Sequence, residues 1–295
     1  MSGELSVVVV IHDSAPELAR LLGSLEAHLR PAPQLVVVDN ASTDGGAALA
    51  RERGAEVLAL GENAGFGAAA NQGVALARGD VVALLNPDVE LLDGGLARLA
   101  ELARGRDALF VPRLLNDDGT RQRSAHPLPG TFFALLPALV PTPLLPGRVR
   151  RRADPWRAAS PGTVGWAIAA CLAARTATLL RLGPFDQSLF LFYEDLDLCL
   201  RAAAAGVATE LRPEIALRHS GGHATRRRYG GEPHLEMARR RREVVGRALG
   251  RRALLLDDAA QGLTFATRSL YRAALGRDSA RERAQLRALL AARRH

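Results

Sequence analysis

Through the first 115 residues, strand-length apolar runs alternate with stretches at helical spacing, and no other feature of the chain constrains its fold as strongly. Leu5–Ile11 (LSVVVVI) is a β-branched run suited to a strand covered on both faces. Ser14-Ala15-Pro16-Glu17 follows as a capping box with Pro16 in the first turn. Leu18, Leu21, Leu22, Leu25 and Leu29 then recur at helical spacing. Leu35–Val38 is a second strand ending in Asp39-Asn40, followed by a short helix over Ala47–Arg53 and a third strand over Glu56–Leu60. Gly67–Arg78 reads as a helix of small residues stopped by Gly79. Val81–Leu85 is a fourth strand that runs directly into Asn86-Pro87-Asp88. Strands alternating with helices make a mostly parallel sheet with helices on both faces. Ligands of such sheets sit beyond the carboxyl ends of the strands. Asp13, Asp39 and Asp88 all fall just past those ends.

Residues 116–163 break the alternation with charged turns (NDDGTRQR), an apolar stretch (TFFALLPALVPTPLLPG) and the basic RVRRR. The pattern resumes with Trp166–Ala174 and LGPFDQSLFLFYEDLDLCLR. A helix from about Asp195 to Ala205 is expected to close at Gly206. Two short strands, Thr209–Arg212 and Ile215–Arg218, precede His219. The tail, 232–295, is helical in composition, rich in arginine and split by RDSARER.

An apolar fraction of 48% supports a sizeable core. The basic residues are all arginine, and the net charge of +8 favours anionic partners: nucleotide diphosphates, anionic lipid or nucleic acid. Only 4% of residues are aromatic and no base-stacking motif is present, which argues against nucleic acid. Cys171 and Cys199 have no CxxC partner and lie among apolar residues, so they read as buried free thiols. The opening MSGELSVVVV has no basic n-region or cleavage site, and no run is long enough to span a membrane. A cytoplasmic location, with peripheral contact at the inner face of the membrane, is expected.

Four motifs carry chemistry, each beside an ordinary structural alternative. Asp39-Asn40-Ala41-Ser42-Thr43-Asp44-Gly45 is either a capped turn or a loop whose carboxylate accepts a pyrimidine imide N–H. Asn86-Pro87-Asp88 is either a turn or a site for a hard cation that completes its shell with diphosphate and water. Glu194-Asp195 opens a helix, where acidic residues complement the dipole. The apolar-aromatic Leu189–Tyr193 before it would also raise a carboxylate pKa, as a general base requires. His219 precedes Ser220-Gly221-Gly222-His223, either a structural histidine or a further metal ligand on a loop.

With these residues in order, the chain resembles family 2 of the GT-A glycosyltransferases, especially the bacterial rhamnosyltransferase-like branch. The likeness rests on VVVVIHDS (7–14), VVVDNASTDG (36–45), ENAGFGAAANQG (62–73), GDVVALLNPDVEL (79–91) and GPFDQSLFLFYEDLDLCLR (183–201), then His219. It implies an α/β GT-A fold, a nucleoside-diphosphate-sugar donor of the dTDP-rhamnose or UDP-hexose kind, Mg²⁺ or Mn²⁺, and inversion at the anomeric carbon. Residues 1–115 would be the nucleotide-sugar-binding half, 116–231 the acceptor-binding and catalytic half, and 232–295 a helical extension. By the same resemblance, Asp39 would hold the base, and Asn63, Gly65 and Asn71 would line the nucleotide pocket. Asp13 and Asn86 join the nucleotide-sugar contacts. Asp88 and His219 would bind the metal, Asp195 would be the catalytic base, and Trp166 and Glu194 would border the acceptor site. The acceptor is a glycan or a lipid-linked sugar, with glycosylation of a small molecule as an alternative. A non-catalytic nucleotide-sugar-binding protein on the same scaffold is the rival reading, and its natural mark would be the loss of Asp195. The chain departs from the family at Ile11-His12-Asp13, at Asn86, which leaves the metal motif one carboxylate, and at Ala169-Ala170, where a glycine is usual. The apolar 131–146 and basic 148–152 together read either as a loop packed on the core or as a patch touching anionic membrane.

Overall fold

The computed structural model describes residues 4–221 and 232–294. Strand β1 (Leu5–Ile11) explains why its sequence is apolar throughout: its two faces supply two different cores. Val7, Val9 and Ile11 pack with Leu18, Leu21, Leu22 and Leu25 of helix α1 (Ala15–His28). Val8 and Val10 pack with Ala69, Ala70 and Val74 of α3 (Phe66–Ala75). Each fully buried leucine here contributes about 1.5–3 kcal/mol. Strands β2 (Gln34–Asp39), β3 (Glu56–Ala59) and β4 (Val81–Leu85) complete a parallel set in the order β3-β2-β1-β4, with helix α2 (Gly46–Glu52) between β2 and β3 in sequence.

The same sheet takes in strands from the later residues as well. β10 (Cys171–Arg175) pairs antiparallel with β4, and beyond it come β6 (Ala108–Leu115), β11 (Ala208–His219) and β5 (Val89–Leu91). With β8 (Gly162–Val164) on β11, the sheet has nine strands among the described residues. β7 (Ala125–His126) and β9 (Trp166–Ala167) form a separate small pair. Helices α4 (Gly95–Gly105), α7 (Thr176–Leu182) and α8 (Glu194–Ala204) flank the sheet. The apolar segment after residue 130 holds α5 (Phe132–Leu139), and the basic run forms α6 (Gly147–Ala153).

Several local expectations change. The capping box does not form: the Ser14 hydroxyl accepts the His12 N–H (3.3 Å) rather than capping α1, and Glu17 is buried. Gly79 is not the stop of α3, which ends at Ala75. It lies so close to β1 that a Cβ would sit 2.3 Å from the Glu4 carbonyl, and its N–H bonds the Ser6 hydroxyl. The two strands expected before His219 are one, with an irregularity between Arg212 and Ala216, where Pro213 has no N–H to give the ladder. The tail breaks at Gly250 (φ 80°, ψ 176°) as well as at residues 275–279. Helix α9 (His234–Ala274) therefore folds back on itself as a hairpin with arms 234–249 and 251–274, in which Arg241 meets Asp257 and Arg242 meets Asp258. α10 (Ala280–Ala292) packs on this hairpin.

The glycine-rich run before α3 joins the two ends of the molecule. Gly65 has φ 87°, and a Cβ there would stand 2.5 Å from the Phe190 carbonyl oxygen, which accepts the Phe66 N–H (3.2 Å). A Cβ on Gly67 already finds the Phe185 Cβ at 2.9 Å, and the Phe66 and Phe185 rings meet edge to face at 5.4 Å. Gly65→Ala adds both left-handed strain and a backbone clash, and it is expected to destabilise the fold by about 1–3 kcal/mol. Gly61→Ala, with open space at its Cβ, should leave the melting temperature unchanged. Equal melting curves for the two variants would contradict this account.

Candidate active site

A cleft of about 360 Å³ opens beyond the carboxyl ends of β1, β2 and β4. Asn63, Gly65, Asn86, Asp88, Glu194, Asp195 and His219 all line it, so the two halves of the sequence meet there. Four of the expected site residues do not line it. Asn71 has both side-chain amide atoms on the Phe185 backbone (2.8 and 2.9 Å), so it fastens α3 to the 183–193 segment. Trp166 is buried behind the cleft, stacked on His126 with centroids 4.2 Å apart. Asp13 takes the N–H and hydroxyl of Thr43 on one carboxylate oxygen, which ties the end of β1 to the 40–45 loop. Asp39 accepts the Ser42 N–H (2.9 Å) and turns the chain there, so its neighbour Asn40 lines the cleft in its place.

Asn40 is one of the residues the sequence reasoning passed over. Its side-chain NH₂ donates to Asn63 Oδ1 (3.0 Å) and its side-chain Oδ1 accepts the Ala64 N–H (2.9 Å), so the β2 end and the 63–65 turn hold each other. His12, Glu17, Phe190 and Phe192 also line the cleft. His12 and Asn40 sit beside aspartates that the strand pattern did single out. Glu17 was hidden by its resemblance to a cap, and the phenylalanines stood in the apolar-aromatic run read only as surroundings for the carboxylate.

Asp88 and His219 face each other from adjoining strand ends. His219 pairs with Val89 across β11 and β5, which brings its Nε2 to 3.3 Å from the Asp88 carboxylate. Gln122 Oε1 lies 2.8 Å from the other ring nitrogen and its amide reaches the His219 carbonyl, so the ring is oriented from behind. Burial alone would raise the Asp88 carboxyl, but the hydrogen bond and charge of His219, with backbone N–H groups including that of Gly221, outweigh it and hold the pKa below the usual range. A carboxylate kept ionised beside an imidazole fits two positions of an octahedral shell, leaving the rest to diphosphate oxygens and water. Among the described residues no cluster of three or more His, Cys, Asp or Glu is present. His223 lies outside the described residues.

The other pair shifts in the opposite direction. Asp195 is pushed up to about 6, chiefly by burial, against the lowering effect of the Leu196 and Ala169 N–H groups and of Arg241. Glu194 is pushed up to about 8 by burial and by the neighbouring Asp195. Buried side by side, the two carboxyls resist carrying two negative charges at once, and Glu194, the more strongly raised, is the readier of the two to stay neutral. Opposite shifts within one cleft separate a charge-binding carboxylate from a proton-accepting one.

The chain is 30% identical over 247 residues to N-acetylglucosaminyl-diphospho-decaprenol L-rhamnosyltransferase of Mycobacterium tuberculosis strain H37Rv, covering 77% of this chain and 79% of that protein. It is 26% identical over 147 residues to rhamnosyltransferase WbbL of Escherichia coli K12, covering 50% of this chain and 54% of that protein. The mannosyltransferase PcManGT from Pyrobaculum calidifontis, solved with GDP-Man and Mn²⁺, superposes with a TM-score of 0.60 at 16% identity, over 99% of this chain and 86% of that one. The fold is GT-A: a mostly parallel central sheet flanked by helices, with a helical C-terminal region. The model of glycosyl transferase family 2 matches residues 6–156, and the chain belongs to that family.

Proposed function

We propose that this glycosyltransferase moves a sugar, with inversion, from a nucleoside-diphosphate sugar to an acceptor hydroxyl in cell-surface glycan or glycolipid synthesis. The observation that carries the reading is one cleft holding both the Asp88–His219 pair and the raised Asp195 carboxyl. The likeness to two rhamnosyltransferases, one named for a lipid-linked diphosphate sugar, supports a dTDP-rhamnose-like donor and a lipid-linked acceptor, with UDP-hexoses as the second choice. The nucleotide would lie along the ends of β1, β2 and β4, against His12, Asn40, Asn63 and Asn86. Asp88 and His219 would hold Mg²⁺ or Mn²⁺, which when bound neutralises charge on the departing diphosphate.

Inversion is a single in-line displacement, so base and leaving group stand on opposite sides of the sugar. Asp195 takes the acceptor hydroxyl proton as that oxygen attacks the anomeric carbon. Neutral Glu194 adds no second negative charge beside it and can donate a hydrogen bond to an acceptor oxygen. Because the ionised form of Asp195 is the base, the rate should fall as pH drops through about 6 and level off above it.

Asp195→Asn is expected to keep Mn²⁺-dependent nucleotide affinity, measured by calorimetry, while transfer falls by about 10²–10⁴-fold. Asp88→Ala should lose the metal dependence of donor binding itself. Full transfer by Asp195→Asn with the true acceptor would remove the base assignment. Donor binding without turnover of any donor by the unmodified chain would favour the binding-protein reading.

The proposed lipid-linked acceptor also calls for a membrane-facing surface. Among the described residues no helix is long and apolar enough to cross a membrane. On and just after α5, Phe132 (64% exposed), Leu139 and Leu144 (75% exposed) lie outside the core, next in sequence to exposed Arg148, Arg150, Arg151 and Arg152. Apolar side chains beside arginines suit an anionic bilayer surface. The chain should co-sediment with vesicles containing phosphatidylglycerol but not with pure phosphatidylcholine. Phe132→Ser combined with Leu144→Ser should weaken this binding about tenfold or more. Equal behaviour on both lipids would reject the contact.

A further inference from the structure

The residues that present Asp195 adopt a conformation they would not hold alone. Phe192 (φ 73°) and Tyr193 (φ 64°) are consecutive non-glycine residues in the left-handed region, immediately before α8. Such a conformation is strained for a residue with a side chain and persists only where its surroundings impose it. One restraint comes from Phe190, whose carbonyl is bonded by Phe66. The other comes from the C-terminal hairpin. Arg241, on the first arm of α9, forms a two-pronged ion pair with Asp257 on the second arm (2.8 and 2.8 Å). Its guanidinium stands 5.8 Å from the Trp166 ring centroid and 5.6 Å from that of Tyr193, and it donates to the Tyr193 hydroxyl. Trp166 is in turn braced by His126.

We propose that Arg241, clamped by Asp257, is a positioning residue: it holds the Phe192-Tyr193 turn, and so sets the placement and charge of Asp195, making the C-terminal hairpin part of the catalytic apparatus. The proposal rests on the reading of Asp195 as the base. Arg241 keeps its proton despite burial, because Asp257 and Tyr193 more than offset the loss of water. It is the basic group acting on Asp195, whose other neighbours are the Glu194 carboxyl, the Tyr193 hydroxyl and the Cys199 thiol, all neutral at pH 7. The charge of Arg241 also acts on Arg123 and His126. Arg247 supplies a contrast within the same hairpin: it bridges Asp186 and Asp197 (2.7 and 2.8 Å) and so docks the arm on α8 through carboxylates other than Asp195.

The test is a ¹³C-carboxyl NMR titration of the full chain labelled at aspartate, with the Asp195 signal assigned by its loss in Asp195→Asn. In Arg241→Met the Asp195 titration should move measurably upward, since losing an opposite charge makes a carboxylate easier to protonate. Arg241→Lys should restore most of the shift, and Arg247→Met should leave it in place while lowering the melting temperature. If Arg241→Met fails to fold, Asp257→Asn carries the test, with a smaller shift in the same direction. With dTDP-rhamnose or UDP-glucose turned over by the unmodified chain, Arg241→Met should lower kcat about tenfold or more and leave the donor KM within about twofold. An Asp195 titration that stays put in Arg241→Met, or in Asp257→Asn where that variant stands in, would reduce Arg241 to packing and overturn the proposal. Retained transfer by Asp195→Asn would strike the base reading instead, and the two failures are told apart by which variant shows them.

Discussion

The hydrogen bond from the Phe66 N–H to the Phe190 carbonyl is the point on which the rest of the architecture turns. It exists because Gly65 has no side chain to keep the two backbones apart. Through it, a turn that follows the parallel strands of the N-terminal part touches the loop that leads into Glu194-Asp195. Phe185, anchored by Asn71 and by the ring of Phe66, extends the same seam. Loosening this seam would allow Asp88 and Asp195 to drift apart, and the cleft between them would lose its shape.

Within that cleft, burial acts on all the carboxylates but gives opposite results. Asp88 has an imidazole at 3.3 Å and stays ionised; Glu194 and Asp195 have little compensation and rise. The difference is one of partners, since all three are withdrawn from water. A site with a low carboxyl at one wall and raised ones at the other can bind a charged leaving group and accept a proton at the same pH.

Much of this could be read from the residues alone. The strand-helix alternation located β1 to β4 because both faces of each central strand are covered, which leaves uninterrupted apolar runs. Asp88, Asp195 and His219 were legible because each sits at a strand end or helix start that interrupts such a run. Side-chain direction was not legible in this way. Asn71 stands in the same run as Asn63 and Gly65, yet it spends its amide on the Phe185 backbone, and the Trp166 ring stacks on His126. Ser14 and Glu17 matched a capping pattern, but the backbone at Ser14 (φ −135°, ψ 32°) sends the hydroxyl to His12. The Gly250 hairpin was also invisible, because arginine and leucine continue through it with no change in composition.

The central claim is spatial: leaving group and base on opposite sides of one sugar. It is tested most directly by diffraction at the manganese edge from crystals grown with Mn²⁺ and the nucleoside-diphosphate sugar. The account expects the Mn²⁺ peak within bonding distance of the Asp88 carboxylate and the His219 imidazole, the diphosphate on that metal, and the anomeric carbon between it and Asp195. A metal bound away from Asp88 and His219, or a sugar whose open face points away from Asp195, would contradict it.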